Sequence, residues 1–304
     1  MKLSVILIAY NMRREITRAL QSLSRGYQKG AEQLEYEVIL VDNGSSEPVD
    51  QEAMHALDVP VRYVYVENAH PSPAQAVNDA VAMASGEVVC LMVDGAHLLT
   101  PGAFELALSC FRAFDEPVVA TRYFFLGPDE QNDSIATGYD KPTEDKLLAQ
   151  IDWPNDGYRL FEIGTPLWLG ANKITWLHRM FESNCLFMRK SLFEVQGGID
   201  TRFSYPGGGF LNLDIYKRCC DTNGVTPVQL VGEGSFHQLH GGTTTNVTPE
   251  DRKKKTEKYR QQYIDIRGNA DLVSDKDLFF LGHLPTKASK IHVRNRPKRN
   301  DPQG

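Results

Sequence analysis

Gly86-Glu87-Val88-Val89-Cys90-Leu91-Met92-Val93-Asp94-Gly95-Ala96-His97 decides the fold. From Val88 to Val93 no polar residue alternates with the apolar ones, which predicts a strand buried on both faces inside a parallel sheet. The run stops at a carboxylate, a glycine and an imidazole. Open α/β sheets bind ligands at the carboxyl ends of such strands, so Asp94 and His97 are candidates for function and not only for a turn.

The segments before it repeat the pattern. Leu3 to Tyr10 is a β-branched apolar run, and after Asn11 the apolar residues Ile16, Ala19, Leu20 and Leu23 take helical spacing. Glu37 to Val41 is a short buried strand ending at Asp42-Asn43-Gly44, and Val61 to Val66 is a third, ending at Glu67-Asn68. Pro73 to Ala84 reads as a helix that Gly86 stops. Strands alternating with helices predict right-handed crossovers and a doubly wound sheet. Tyr10, Asn11, Asp42, Asn43, Asn68, Asp94 and His97 then collect along one edge.

Further on, Ala103 to Phe114 reads as a helix and Val118 to Phe125 as a strand. Residues 126–175 are rich in Pro, Gly and aromatic residues, including Trp153, Tyr158, Phe161 and Trp168, and are expected to be an irregular insertion over the substrate site, its aromatics stacking on acceptor sugars, with a structural wall of core aromatics as the alternative. Ser183 to Met188 and Val228 to Val231 are expected strands. Leu211 to Thr222 and the highly charged Glu250 to Ile266 are expected helices. His237 and His240, three apart beside Gly241-Gly242, have metal-like spacing. The basic segment from Pro285 is expected to be disordered.

A 304-residue chain with 41% hydrophobic and 24% charged residues has ample material for a core. Its formal charge of −6 gives no general attraction to nucleic acid, so no nucleic-acid partner is expected. The five cysteines lack metal-ligand spacing and read as buried free thiols. No apolar run has the length of a transmembrane segment, and a cytoplasmic location is the expectation.

These pieces resemble family 2 glycosyltransferases of the GT-A fold over about residues 2–240. The resemblance rests on Val5-Ile6-Leu7-Ile8-Ala9-Tyr10-Asn11, Val41-Asp42-Asn43-Gly44-Ser45, Glu67-Asn68 leading to Asn78, Ala84-Ser85-Gly86-Glu87 and the strand ending at Asp94. It continues through Leu98-Leu99-Thr100-Pro101, Asn184 with Phe187 and Arg189, Gly197-Gly198-Ile199-Asp200, and Asp214 before Arg218. It implies a mixed, mainly parallel α/β sheet flanked by helices. Residues 1–245 would form the transferase domain, with a nucleotide-binding half over 1–100 and an acceptor half over 101–245. A C-terminal helical extension over 246–284 and a tail over 285–304 would follow.

The same resemblance implies a donor site made of Ala9, Tyr10, Asn11, Asp42, Asn43, Asn68, Asn78, Asp94 and Gly95. Tyr10 would stack on the base, with Asp42 or Asn43 at its edge; an Asx turn is the other reading of Asp42. The family uses a DxD motif for a divalent cation, and here Ala96 occupies its third position. Asp94 with His97, His237 and His240 would then hold Mn²⁺ in preference to Mg²⁺, or the histidines would donate to phosphate. Leu211 and Asn212 replace the family's acid pair, leaving Asp214 as the expected general base or a helix N-terminal charge. The implied activity is inverting transfer of a sugar from a nucleotide-diphosphate donor, UDP favoured, to a hydroxyl acceptor in glycan biosynthesis. A degenerate scaffold that binds without transfer is the alternative.

Overall fold

The computed structural model describes residues 1–167 and 176–288. Its elements in order are β1 (Leu3–Ala9), α1 (Arg13–Ser22), β2 (Tyr36–Asp42), α2 (Gln51–His55), β3 (Val61–Tyr65), α3 (Ala74–Met83), β4 (Val88–Met92), β5 (His97–Leu99), α4 (Ala103–Ala113) and β6 (Pro117–Leu126). They continue with α5 (Gln131–Ala136), α6 (Lys141–Gln150), α7 (Leu160–Ile163), β7 (Gly164–Pro166), β8 (Leu186–Arg189), α8 (Lys190–Val195), α9 (Leu211–Asp221), β9 (Thr226–His237), α10 (Pro249–Arg267) and β10 (Phe279–Gly282).

One sheet runs in the order β10-β9-β6-β8-β4-β1-β2-β3, with β5 pairing β9 and β7 pairing β6. Strands β1 to β4 pair in parallel, as do β6, β9 and β10, while β8 runs antiparallel between β4 and β6. The apolar run Val5 to Ala9 of β1 matches its burial on both faces. Val5 and Leu7 enter one core with α4, and Ile6 and Ile8 enter the opposite core with α3. Burial of such a side chain contributes roughly 1.5–3 kcal/mol, so the central strands anchor the sheet. Register aligns the ends: Ala9 lies opposite Asp42, and Asp42 opposite Tyr65.

Residues 126–167 hold more regular structure than expected: α5, α6, a 3-10 turn at Gly157–Arg159, α7 and β7. Asp140 caps α6 by accepting from the Thr143 backbone N at 2.9 Å, and Pro142 sits in the first turn. Trp153 and Phe161 are buried in a third core cluster with Phe124 and Phe236, so they build a wall and offer no face to an acceptor. Trp168 lies outside the described residues. The segment after α10 is not helical throughout, because β10 extends the sheet beside β9. Of the expected disordered tail, residues 289–304 lie outside the described residues, whereas Ala288 is buried. All five cysteines are free and buried. No helix among the described residues is long and apolar enough to cross a membrane.

Candidate active site

A cleft of about 1390 Å³ opens at the carboxyl ends of β1, β2 and β4. Ala9, Tyr10, Asn11, Asn43 and Asp94 line it, together with the glycine loop Gly207 to Gly209 and residues of α10. Tyr10 is 57% exposed on the rim, suited to stacking against a planar base. Asn11 adopts a left-handed φ of 52°, which asparagine tolerates, and its Oδ1 accepts from the Ser46 backbone at 2.9 Å. That bond ties the ends of β1 and β2 together. Asn43 lines the cleft, with its amide donating to the His70 carbonyl at 2.9 Å.

Four residues expected at the donor have other work. Asp42 is fully buried: Oδ1 accepts from Ser45 N at 2.9 Å, while Oδ2 accepts from the Val49 backbone and the Tyr63 hydroxyl. It holds the loop from inside, as an Asx turn does. Asn78 exchanges two hydrogen bonds with the Ile199 backbone, fastening α3 to the Gly197-Gly198-Ile199 turn. Asn68 takes a left-handed φ of 53° in the turn after β3, where it leaves the cleft wall to Ala69 and His70. Gly95 donates to the Ile8 carbonyl at 2.8 Å, and a Cβ there would meet that oxygen at 2.5 Å. Only glycine permits this approach, which fixes the turn that presents Asp94.

Asp94 Oδ1 accepts from the Ala96 backbone at 3.0 Å. Its Oδ2 lies 3.1 Å from His237 Nε2 and 3.2 Å from His240 Nε2, and the two nitrogens are 3.0 Å apart. Burial alone would raise the Asp94 pKa, but His240 and His237 outweigh it and hold the carboxyl well below its usual range. For His240 burial is opposed and overcome by Asp94, so its pKa is raised; for His237 burial prevails and its pKa is lowered.

Hydrogen bonding alone does not satisfy this triangle. If both nitrogens donate to Asp94 their protons confront one another; if one donates to the other, a lone pair faces the carboxylate. A cation resolves the conflict, since three donors about 2.1 Å from one ion at near-right angles lie about 3 Å apart. Asp94, His237 and His240 therefore fit a divalent ion, and their N₂O set suits Mn²⁺ or a similar transition ion better than Mg²⁺.

His97 is not part of this group. It begins β5 in register with His237, fully buried with its ring edge-on to Tyr123, and neither ring nitrogen makes a hydrogen bond of ordinary length. Burial, with His237 beside it, holds its pKa well below normal, so it is a neutral packing residue. Ala96 is also fully buried, in the core beneath the site. With position 96 buried in that core, the missing second acid is replaced by His237 at the end of β9 and His240 in the loop after it.

The histidine loop is held by its backbone. Leu239 N donates to Glu144 Oε2 at 2.8 Å, and Arg14 donates to the Leu239 carbonyl at 2.9 Å. Gln238 N donates to the Ala96 carbonyl at 2.8 Å. On the other flank Asn184 clasps Asp94, accepting from its N–H at 2.8 Å and donating to its carbonyl at 2.6 Å.

Asp214, expected as the base, is withdrawn from the cleft and 1% exposed. Arg218 Nε contacts it at 2.8 Å, and Arg267 reaches it at 2.6 and 2.8 Å. Both oxygens are occupied by guanidiniums, which makes Asp214 the anchor of α10 on α9 and not a proton acceptor. Asn212 takes the cleft-facing position instead. Sequence reasoning missed Tyr123, Glu182, Arg252 and Arg260, which also line the cleft. The only sequence signals were an acid two residues before Asn184 and the basic run Arg252 to Lys255 that follows the acidic first turn of α10.

A family model, Glycosyl transferase family 2, matches residues 4–168, more than half of the chain. No curated protein matches it in sequence. Among solved structures, S. aureus TarS 1–349 in complex with UDP is similar over 91% of this chain and 67% of that one, at 17% identity and a TM-score of 0.53. The complex of the same protein with UDP-GlcNAc gives 91%, 68%, 17% and 0.52. M. tuberculosis glucosyl-3-phosphoglycerate synthase is similar over 89% of this chain and 82% of its own, at 14% identity and a TM-score of 0.51. Those identities speak for the fold alone. With the sheet order and the family match together, the chain belongs to glycosyl transferase family 2 and has the GT-A fold.

Proposed function

We propose that the protein is an inverting glycosyltransferase that takes a sugar from a UDP-sugar and places it on a hydroxyl acceptor in glycan or polysaccharide synthesis. The Asp94, His237 and His240 triangle, which borders the cleft through Asp94 and His240, carries this reading. A divalent cation held there supplies charge neutralisation for the departing diphosphate. Tyr10 and Asn43 receive the base at the ends of β1 and β2, and Asn11 keeps those ends together. S. aureus TarS has been solved with UDP and with UDP-GlcNAc, which supports the choice of nucleotide.

We assign residues 1–245 to the transferase domain and 246–284 to an extension whose helix α10 closes one side of the cleft through Arg252, Thr256, Tyr259 and Arg260. Asn212 at the position of the family's acid favours one other reading, a scaffold that binds donor without transfer. Incubation with UDP-GlcNAc and UDP-glucose in Mn²⁺, followed by UDP release, separates the two. Donor binding with release supports the enzyme, and binding without release in any metal supports the scaffold.

A further inference from the structure

With Asp214 clamped and Asn212 unable to accept a proton, transfer requires another base. The carboxylates that line the cleft are Asp94, Glu182 and Asp271. Asp94 is committed to two imidazoles. Asp271 pairs with Lys217 at 3.0 Å and is itself exposed. Glu182 is the one left. It lies in the segment leading into β8, two residues before Asn184, whose side chain grips the Asp94 backbone from both ends, and it lines the same cleft as Asp94 and His240. Among the described residues it has no hydrogen-bond or ion-pair partner, unlike Asp214.

We propose that Glu182 is the general base of the transfer, accepting the proton of the acceptor hydroxyl within the cleft. The proposal rests on the glycosyl-transfer reading above. As the acceptor oxygen forms its bond to the anomeric carbon, the bond from that carbon to the diphosphate oxygen breaks. UDP leaves with the electron pair, the hydroxyl proton passes to the Glu182 carboxylate, and solvent later removes it. Burial raises the Glu182 pKa to about 7, against the opposing pull of Arg252 from α10. A base poised near neutrality has the strength that general-base catalysis favours. Tyr123 of β6 feels both Asp94 and Glu182, and burial with those two charges keeps its phenol protonated beside them.

The test compares wild type and Glu182→Gln in saturating Mn²⁺, with UDP-GlcNAc and UDP-glucose as donors and water, glycerol or 3-phosphoglycerate as acceptor. The substitution is expected to lower kcat for UDP release by about 10²–10⁴-fold. UDP affinity is expected to stay within about twofold and the acid limb of the rate profile near pH 7 to disappear, with Glu182→Asp intermediate. Glu182→Gln turnover within about tenfold of wild type, with the acid limb intact, overturns the base assignment and leaves the transferase reading standing. A wild-type protein that binds UDP but releases none from either donor overturns both.

Discussion

The Nε2 atoms of His237 and His240 lie 3.0 Å apart, with Asp94 Oδ2 within 3.2 Å of each. Three residues from two distant parts of the chain thus converge on one point. Removing one of them leaves two donors, too few for tight binding in a partly open cleft. His240→Ala and Asp94→Ala are each expected to weaken Mn²⁺ binding by at least about 100-fold, beyond the tenfold to 100-fold typical of losing an outer partner. Paramagnetic resonance of free Mn²⁺ measures this directly. In wild type, Mn²⁺ at about 100 times its Kd should add about 2.7 kcal/mol of stability, and the variants should not respond.

Ala96 occupies the third place of the family's metal motif, yet its methyl is buried in the core. Ala96→Asp should therefore not strengthen metal binding. It should destabilise the fold by about 2 kcal/mol or more, because an unpaired carboxylate would be forced among apolar neighbours. Chemical denaturation and Mn²⁺ titration of the same variant test both halves; a tighter Mn²⁺ site in a stable variant would contradict the geometry.

Asp214 joins α9 to α10 through Arg218 and Arg267. Asp214→Asn leaves Arg218 without its counter-charge and Arg267 with Asp200 alone, at 3.1 Å, at an expected cost of about 3 kcal/mol. Turnover per folded molecule should remain within about threefold of wild type. A loss of kcat by two orders of magnitude in a stably folded variant would restore Asp214 as the base.

Glu182 also makes a stability prediction that needs no substrate. Its folded pKa of about 7 lies above the roughly 4.3 of an unfolded glutamate, so between those values the native chain retains a proton that the unfolded chain has lost. Native stability should fall as pH rises from about 4.5 through about 7, and the cost should persist at higher pH. Glu182→Gln removes the ionisation, and at pH 8 it should be more stable than wild type by about 1–2 kcal/mol, allowing for the side chain's partial exposure. Thermal unfolding at pH 5 and pH 8 gives the comparison. A variant less stable than wild type at pH 8 would show that the carboxylate has a structural partner.

Strands β1 to β4 were legible because they are written as nearly unbroken apolar runs, each stopped by turn residues, whereas β5, β7 and β10 are too short to show a pattern and β9 was read only over Val228 to Val231, before Gly232-Glu233-Gly234-Ser235 interrupts it. The cleft was legible to the extent that strand ends position their own side chains, as with Tyr10, Asn11, Asn43 and Asp94. It failed where an identical residue type turns inward. Asp42 at the end of β2 and Asn78 within α3 match the family pattern, yet their polar atoms satisfy backbone groups. His97 and His237 face each other across β5 and β9, and only the start of β5 at His97, too short to detect by periodicity, decides which of them meets Asp94. The α6 helix was readable from Asp140-Lys141-Pro142-Thr143-Glu144, a capping signal obscured by the surrounding glycines and prolines. Its Glu144 holds Leu239 between the two histidines, a dependence across 95 positions that no local pattern carries.

A nucleotide-sugar site built around a cation held by Asp94, His237 and His240 should bind UDP through that ion. Calorimetric titration of UDP into the wild-type protein, once in Mn²⁺ and once in EDTA, tests it most directly. Saturable binding in Mn²⁺ that weakens at least about tenfold, or about 1.4 kcal/mol, in EDTA is the expected result. Equal affinity in both, or no UDP binding in either, would contradict it.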